Sequence, residues 1–412
     1  MLEPEDFASG GGERQGNGPE TTGRFIVVFD DDVTDPGEVL RTAAGLSDVA
    51  NSRDFADQAV DPSKTGIADA TVFATLGIAV VEADPNQFAA LRDAAGTGDR
   101  RIQSVSPELV HHALLDTAAR TTVAAPRIFQ DSTDFTWGLQ ATQVPTSGFT
   151  GLGIKLAVLD TGFDAAHPDF SGRGVTMQSF IAGETAQDGH GHGTHCIGTS
   201  SGPKSPAAGP RYGIAFEADI LAGKVLSNLG SGTDGGIIAG INWAVANGCA
   251  IISMSLGADV PQVHPPYVAA GRRALDLGSL IIAAAGNNAD RMNFDYGFVG
   301  PPANSPYISA VAALNQQLDM AFFSARSLPV NGGQVDVAGP GWQVYSSWIL
   351  PTAYRIISGT SMATPHVAGL AVLWAQATGY RGRELWATMA QDGRRLREPS
   401  FDVGTGLLQA PQ

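Results

Sequence analysis

One serine in this chain has the local sequence of a nucleophile. Ser361 lies in Gly359-Thr360-Ser361-Met362-Ala363-Thr364-Pro365-His366-Val367-Ala368-Gly369, and an apolar, Ala-rich run follows at once. The pattern predicts a helix that starts at the serine. The first N–H groups of a helix are unpaired and its dipole is positive there. Negative charge developing beside Ser361 is stabilised at such a place, and acyl transfer develops that charge. Pro365 is expected in the first turn, where its missing N–H costs little. A capped core helix would need no more than this. A base and an orienting acid must therefore come from elsewhere.

The chain offers both. Asp160-Thr161-Gly162 closes the nearly unbroken apolar run Ile154 to Leu159. Such a run suits a strand buried on both faces of a parallel sheet. Open α/β sheets do their chemistry at the carboxyl ends of such strands, although an Asp there is also a common turn former. His190-Gly191-His192-Gly193-Thr194-His195-Cys196 carries three histidines. Their number invites a zinc reading, but Gly191 and Gly193 interrupt the run and no HExxH spacing is present. A loop entering a helix, with one imidazole aimed at the sheet end, fits better.

The elements that would position these groups follow from the patterning. Residues 1–23 are acidic and Gly-rich with nothing to bury, so disorder is expected. Strands are predicted at Arg24 to Phe29, Thr71 to Leu76, Ile78 to Glu82 and Ile102 to Val105. Helices fall after Asp35-Pro36 and Asp84-Pro85. Residues 47–70 read as a polar insertion. The order β-α-β-β-α-β is the split βαβ, ferredoxin-like arrangement, a small α+β domain over 24–114. Residues 115–133 read as an extended linker, and His111 and His112 as exposed linker histidines with no third ligand nearby. From 134 to 412, strands alternate with helices: Ala222 to Leu226, Ala250 to Met254, Leu280 to Ala285, Tyr307 to Ala313 and Val335 to Val337 are the further strands. This predicts an α/β domain, a mainly parallel central sheet with helices on both faces.

Bulk properties exclude some partners. The net charge of −16 opposes a phosphate backbone, so no nucleic acid is expected. No run approaches the length of a membrane span. The opening residues lack the apolar core of a secretory signal, so a cytoplasmic location is the default, or secretion by a route the sequence does not display. Cys196 and Cys249 are the only cysteines and sit in apolar contexts, which predicts buried free thiols rather than a disulfide framework.

Asp160-Thr161-Gly162, His192-Gly193-Thr194-His195 and Gly359-Thr360-Ser361-Met362-Ala363-Thr364-Pro365-His366 occur in that order. So arranged, the chain resembles the subtilisin-like serine proteases, whose triad runs Asp, His, Ser. His167-Pro168-Asp169-Phe170, Ser255-Leu256-Gly257, Ala284-Ala285-Gly286-Asn287 and Gly404-Thr405-Gly406-Leu407 extend the match over 134–412, and the His-Gly-Thr-His-Cys and Gly-Asn-Asn-Ala-Asp blocks look nearest the proteinase K branch. The N-terminal domain resembles the inhibitor-like propeptide of this family, with Val110-His111-His112-Ala113-Leu114 as its tail in the cleft.

The resemblance implies roles. Ser361 would be the nucleophile, His192 the base, Asp160 its orienting acid and Asn287 an oxyanion donor, while His195 would be structural. Gly230-Ser231-Gly232 and Ser255-Leu256-Gly257 would pair with an extended polypeptide substrate. Ala284, Ala285 and Gly286 would help wall the first specificity pocket, implying an apolar residue before the scissile bond; Asp259 and Asp290 leave a basic one open. Self-cleavage is expected at Leu114, or further on up to Arg127, with the propeptide as an intramolecular inhibitor of a monomeric enzyme. Cys196 would lie near the His192 imidazole, either sensitive to mercury and bulky thiol reagents or inert. Relatives often carry an Asn-rich calcium loop, but residues 200–210 here offer almost no ligands and Asp169 lacks partners, so no cofactor or metal is expected. The expected function is a self-processing serine endopeptidase. A dedicated processing protease for one precursor, and an inactive peptide-binding pseudoenzyme, are the alternatives.

Overall fold

A computed structural model describes residues 18–66, 68–96, 101–114, 128–328 and 333–412. The expectations for residues 1–17 and for linker residues 115–127 fall outside that description.

The N-terminal domain contains β1 (Thr21–Phe29), α1 (Pro36–Ala44), β2 (Val49–Asn51), α2 (Pro62–Thr65), β3 (Ala70–Phe73), β4 (Ile78–Val81), α3 (Pro85–Gly96) and β5 (Ile102–Ala113). The strands lie in the order β5-β1-β4-β3-β2. All these pairs are antiparallel except β2 with β3. Successive side chains of a strand point to opposite faces. Accordingly Val27 and Phe29 pack with Val39, Leu40 and Leu91 of the helices. Ile26 and Val28 face the other way and join a core shared with the second domain.

Three expectations for this domain are corrected. Thr21–Gly23 are ordered as the start of β1, because Thr22 Oγ1 hydrogen-bonds Glu108 across the sheet. The stretch 47–70 is more than an insertion: it supplies β2 and α2. β5 does not stop near Val105 but continues to Ala113, since distant segments pair with its far end.

The second domain holds α4 (Trp137–Ala141), β6 (Lys155–Asp160), β7 (Val175–Ser179), α5 (His192–Ser201), β8 (Asp219–Lys224), β9 (Ser231–Thr233), α6 (Asp234–Ala246), β10 (Ile251–Met254), β11 (Leu256–Gly257), α7 (Pro265–Asp276), β12 (Leu280–Ala284), β13 (Ser309–Leu314), β14 (Val337–Pro340), β15 (Val344–Ser347), β16 (Tyr354–Ile357), α8 (Thr360–Thr378), α9 (Gly382–Gln391) and α10 (Ser400–Val403). Seven strands form one sheet in the order β14-β13-β12-β10-β6-β8-β7, every neighbouring pair parallel. Their apolar residues divide by parity. Leu156, Val158, Ile220 and Ile282 pack with α5 and α8 on one face. Ala157, Leu159, Leu221 and Ile281 pack with α6 and α7 on the other. That division is why these strands read as continuous apolar runs. Residues 128–133, expected to be linker, already belong here: the Ile128 and Phe129 N–H groups donate to Gln316 O.

The N-terminal sheet lies on α6 and α7. Arg273 of α7 donates to the Phe29, Leu76 and Gly77 carbonyls and, with Arg272, pairs with Asp31. The two guanidinium groups, Arg272 first, hold the Asp31 carboxyl down to about 2.

Asp336, just before β14, accepts the Ala310 N–H at 2.8 Å, and burial pushes its carboxyl up to about 7. A raised folded-state value means the stability is complete below the ordinary 3.8 and is lost as pH rises through 7. Because part of the residue reaches solvent, the difference is worth ~1–3 kcal/mol. Asp336→Asn should flatten the fall in Tm between pH 5 and pH 8 by several degrees, both proteins being compared in a Ser361→Ala background. Parallel Tm curves for the two proteins would contradict this account.

Candidate active site

Asp160 is the last residue of β6 and is buried. His192 is the first residue of α5, and its Nδ1 lies 2.7 Å from Asp160 Oδ1. The same carboxylate oxygen accepts the Thr161 N–H at 2.7 Å. With Asp160 accepting, the His192 proton sits on Nδ1 and Nε2 presents its lone pair. That Nε2 is buried and has no partner.

Asp188, which the sequence reading overlooked, sets the start of α5. Its Oδ1 accepts the His190 and Gly191 N–H groups and its Oδ2 accepts the Thr194 N–H and hydroxyl. A buried acid at a helix start satisfies orphan donors and favours the dipole. The local signal was present: an Asp two residues before the first histidine, facing a Gly-rich helix start. Gly191, at φ +105°, is required by close approach, because a Cβ there would lie 2.3 Å from the Trp348 indole.

Ser361 is the second residue of α8, at its N-terminal end as expected. Pro365 is the sixth residue of that helix rather than part of its first turn. Its missing N–H would have bonded the carbonyl four residues back, which is that of Ser361. Instead Ser255 Oγ donates to Ser361 O at 2.8 Å and Cys196 Sγ donates at 3.6 Å. The proline thus frees a carbonyl that fastens the serine turn to the residue between β10 and β11 and to α5. Ser361 Oγ donates to Ser255 O at 2.9 Å and is not bonded to His192.

Asn287 follows the end of β12. Its Oδ1 accepts both the N–H and the hydroxyl of Thr360, at 2.9 and 2.7 Å, which turns Nδ2 outward. Nδ2 donates to Leu114 O at 2.8 Å. Any side chain at Gly359 would meet that carbonyl oxygen at 2.5 Å. The Thr360 contribution was not read from the sequence.

The tail of β5 lies antiparallel between β9 and β11. Val110, His111 and His112 pair with Thr233, Gly232 and Ser231, and His112 and Ala113 with Gly257 and Leu256. Ala113 N–H donates to Gly230 O at 2.9 Å, and Leu114 N–H to Ser255 O at 3.5 Å. Leu114 packs toward Gly257. Ala284 and Ala285 are fully buried behind this end of the sheet, next to Gly286. Asp259 accepts from Asn288 Nδ2, so its carboxylate is engaged at the rim.

His111 is the clearest correction. It is not an exposed linker residue: it is wholly buried, with Nε2 at 2.7 Å from Asp234 Oδ1 and 3.2 Å from the Tyr267 hydroxyl. His112 is exposed, as expected.

The three histidines of the α5 motif diverge. His190 approaches Gly230, and burial lowers its ring below the usual histidine value. His195 Nε2 lies 3.1 Å from Val344 O, and burial holds that ring down to about 3, a structural role. Among the described residues, Asp160, His192 and Cys196 alone bring possible ligand atoms within 4.8 Å of one another. His192 Nδ1 is committed to Asp160, and burial, chiefly, pushes the Cys196 thiol well above its ordinary value. A metal thiolate therefore fits this trio poorly. Asp169 does not suit calcium either. Its carboxylate accepts from the Tyr212 and Tyr354 hydroxyls and the Ala207 N–H, all uncharged donors that would have to leave.

An acid, an imidazole, a helix-start serine and an outward amide lie at the carboxyl edge of a parallel sheet, the set of groups that a hydrolase of the Asp-His-Ser type requires. Residues 151–402 match the model of the Subtilase family. Subtilisin E of Bacillus subtilis (strain 168) is 39% identical over 280 residues, 66% of this chain and 68% of that protein. The alkaline protease of Alkalihalobacillus alcalophilus is 37% identical over 276 residues, 66% of this chain and 68% of its own length. The cuticle-degrading protease of Metarhizium anisopliae is 38% identical over 260 residues, 59% of this chain and 61% of its own. The chain belongs to the subtilase family and is a serine endopeptidase acting on polypeptides.

Proposed function

We propose that this endopeptidase is a zymogen that cuts itself after Leu114 and is then inhibited by residues 24–114. The observation that carries the reading is the Leu114 carbonyl. It accepts from Asn287 Nδ2 at 2.8 Å while the strand leading to it is paired on both edges. A substrate carbonyl needs that placement, with donors where its oxygen becomes an anion.

In this reading the Ser361 hydroxyl turns from Ser255 O toward His192 Nε2, gives it the proton, and attacks the Leu114 carbonyl carbon. Asn287 Nδ2–H and the Ser361 N–H hold the oxyanion. Collapse breaks the bond to Leu115, whose amine takes the proton from His192. Water then repeats the sequence on the acyl-enzyme. Asp160 fixes the His192 tautomer and stabilises the imidazolium. Strand pairing supplies affinity through main-chain bonds, and Gly257 with the small residues 284–286 favours an apolar residue before the cut.

Mass spectrometry of the processed protein tests the cut. Leu115 is the expected new N-terminus, and a first cut elsewhere overturns the Leu114 assignment. Asn287→Ala should lower kcat by about 10²–10³ with a small change in KM. A matched loss in KM instead would place Asn287 in ground-state binding.

A further inference from the structure

Four residues before the cut, the cleft is acidic. Asp234, the first residue of α6, is fully buried, yet its carboxylate takes three hydrogen bonds. His111 Nε2 lies 2.7 Å from Oδ1, His264 Nε2 lies 2.8 Å from Oδ2, and the Leu109 N–H donates to Oδ2 at 2.6 Å. Tyr267 stands edge-on to the His111 ring at 5.5 Å, with its hydroxyl 3.2 Å from Nε2. Two of these partners, His111 and the Leu109 N–H, belong to the strand in the cleft. When that strand leaves, Asp234 retains His264 alone among them.

Counting back from Leu114, His111 is the fourth residue, at subsite P4. We propose that Asp234 is a specificity-determining residue that selects a protonated or hydrogen-bond-donating side chain at P4, histidine being the example the chain itself carries. This rests on the Leu114 cleavage reading, which fixes the count. The chemistry is direct. An apolar P4 side chain would cover Asp234 Oδ1 and leave it without its donor, and a buried acceptor left unpaired is costly. An acidic one would add like charge in a dry pocket. Imidazole supplies a donor and, when protonated, the opposite charge. The field around Asp234 agrees: burial would raise its carboxyl, yet His111 and His264 outweigh burial and hold it well below the ordinary range. The ionisable groups facing the imidazole are Asp234, His264 and Tyr267. Glu108, the other buried acid nearby, is already committed to Arg24, Thr22 and the Gly235 N–H. The site also narrows the enzyme from general strand recognition toward motifs with a basic fourth residue.

The test uses enzyme matured from the full chain and the series acetyl-Xaa-His-Ala-Leu-p-nitroanilide, which copies residues 111–114 with Xaa as His, Phe or Glu. At pH 6, His should exceed Phe by about 10–100-fold in kcat/KM, with Glu lowest. The His-to-Phe ratio should rise as pH falls from 8 to 6, because the protonated ring pairs with the carboxylate. A ratio cancels every pH effect on the enzyme that all the substrates share. Asp234→Asn should shrink the ratio to within about threefold and abolish its pH dependence. The wild-type series needs no variant to fold. Hydrolysis of all three peptides at similar rates, or Phe preferred, overturns the P4 assignment while leaving the protease reading intact. A ratio indifferent to pH overturns the charge pairing. A protein that cleaves none of them and stays unprocessed fails at the earlier step, the proposed function itself.

Discussion

Replacing Ser361 by alanine should leave the full chain at 42.6 kDa indefinitely, where the wild type should convert to a shorter form. In the proposed mechanism the oxygen removed forms the acyl bond, and the neighbouring hydroxyl at the start of α8, that of Thr360, is committed to Asn287 Oδ1. Loss of the triad serine in subtilisin itself costs about 10⁶ in kcat, and that scale is expected here. The substitution removes one hydrogen bond, from Oγ to Ser255 O, while the Ser255 and Cys196 bonds to the Ser361 carbonyl remain. The fold should therefore survive, and circular dichroism checks that it has. Conversion is read on a gel and the nucleophile by a fluorophosphonate probe. If the alanine variant matures at the wild-type rate, in the absence of any other protease, the assignment of Ser361 fails.

Asp160→Asn should slow self-cleavage by about 10⁴. The geometry makes this a test of charge. One oxygen of Asp160 accepts both the His192 Nδ1 proton and the Thr161 N–H, and the other has no partner. Asparagine can keep its single carbonyl oxygen in that same place. Orientation of the imidazole then survives while the negative charge that stabilises the imidazolium is gone. If the amide instead flips, its NH₂ faces Nδ1 and forces the unreactive tautomer, which also abolishes base catalysis. Both routes lead to a large loss. The half-life of the 42.6 kDa band measures it directly, because an intramolecular cut does not depend on concentration. A loss below tenfold would remove Asp160 from the mechanism.

The site was more legible than the fold around it. Asp160, His192, Ser361 and Asn287 could be named as candidates because each sits in a short motif, and the motifs in that order resemble those of a known family. Gly191 is needed where the Trp348 ring touches the backbone, and Gly359 where Leu114 O approaches. The sheet was legible for a similar reason. Strands buried on both faces leave an unbroken apolar run, as in Leu156 to Leu159, whatever their neighbours turn out to be. Short edge strands gave no such run. β7, β15 and β16 are half-polar and went unread, since their pairing partners rather than their composition make them strands.

By itself, then, the sequence determined the parallel α/β domain and the split βαβ domain ahead of it, and its resemblance to a family named Ser361, His192, Asp160 and Asn287 as the candidate nucleophile, base, acid and oxyanion amide. The domains follow from residue patterning, and the candidate roles from short motifs that occur in a family's order. Tertiary structure alone decided the rest. It carried β5 past Val105 to Ala113, because its partners come from residues 231–233 and 256–257. It put Pro365 in the second turn of α8, where the missing N–H frees the Ser361 carbonyl for Ser255 and Cys196. It turned His111 from a supposed linker residue into the buried partner of Asp234, more than a hundred positions away. A histidine's burial and partner are set by what folds over it, and nothing within a few residues of His111 specifies either.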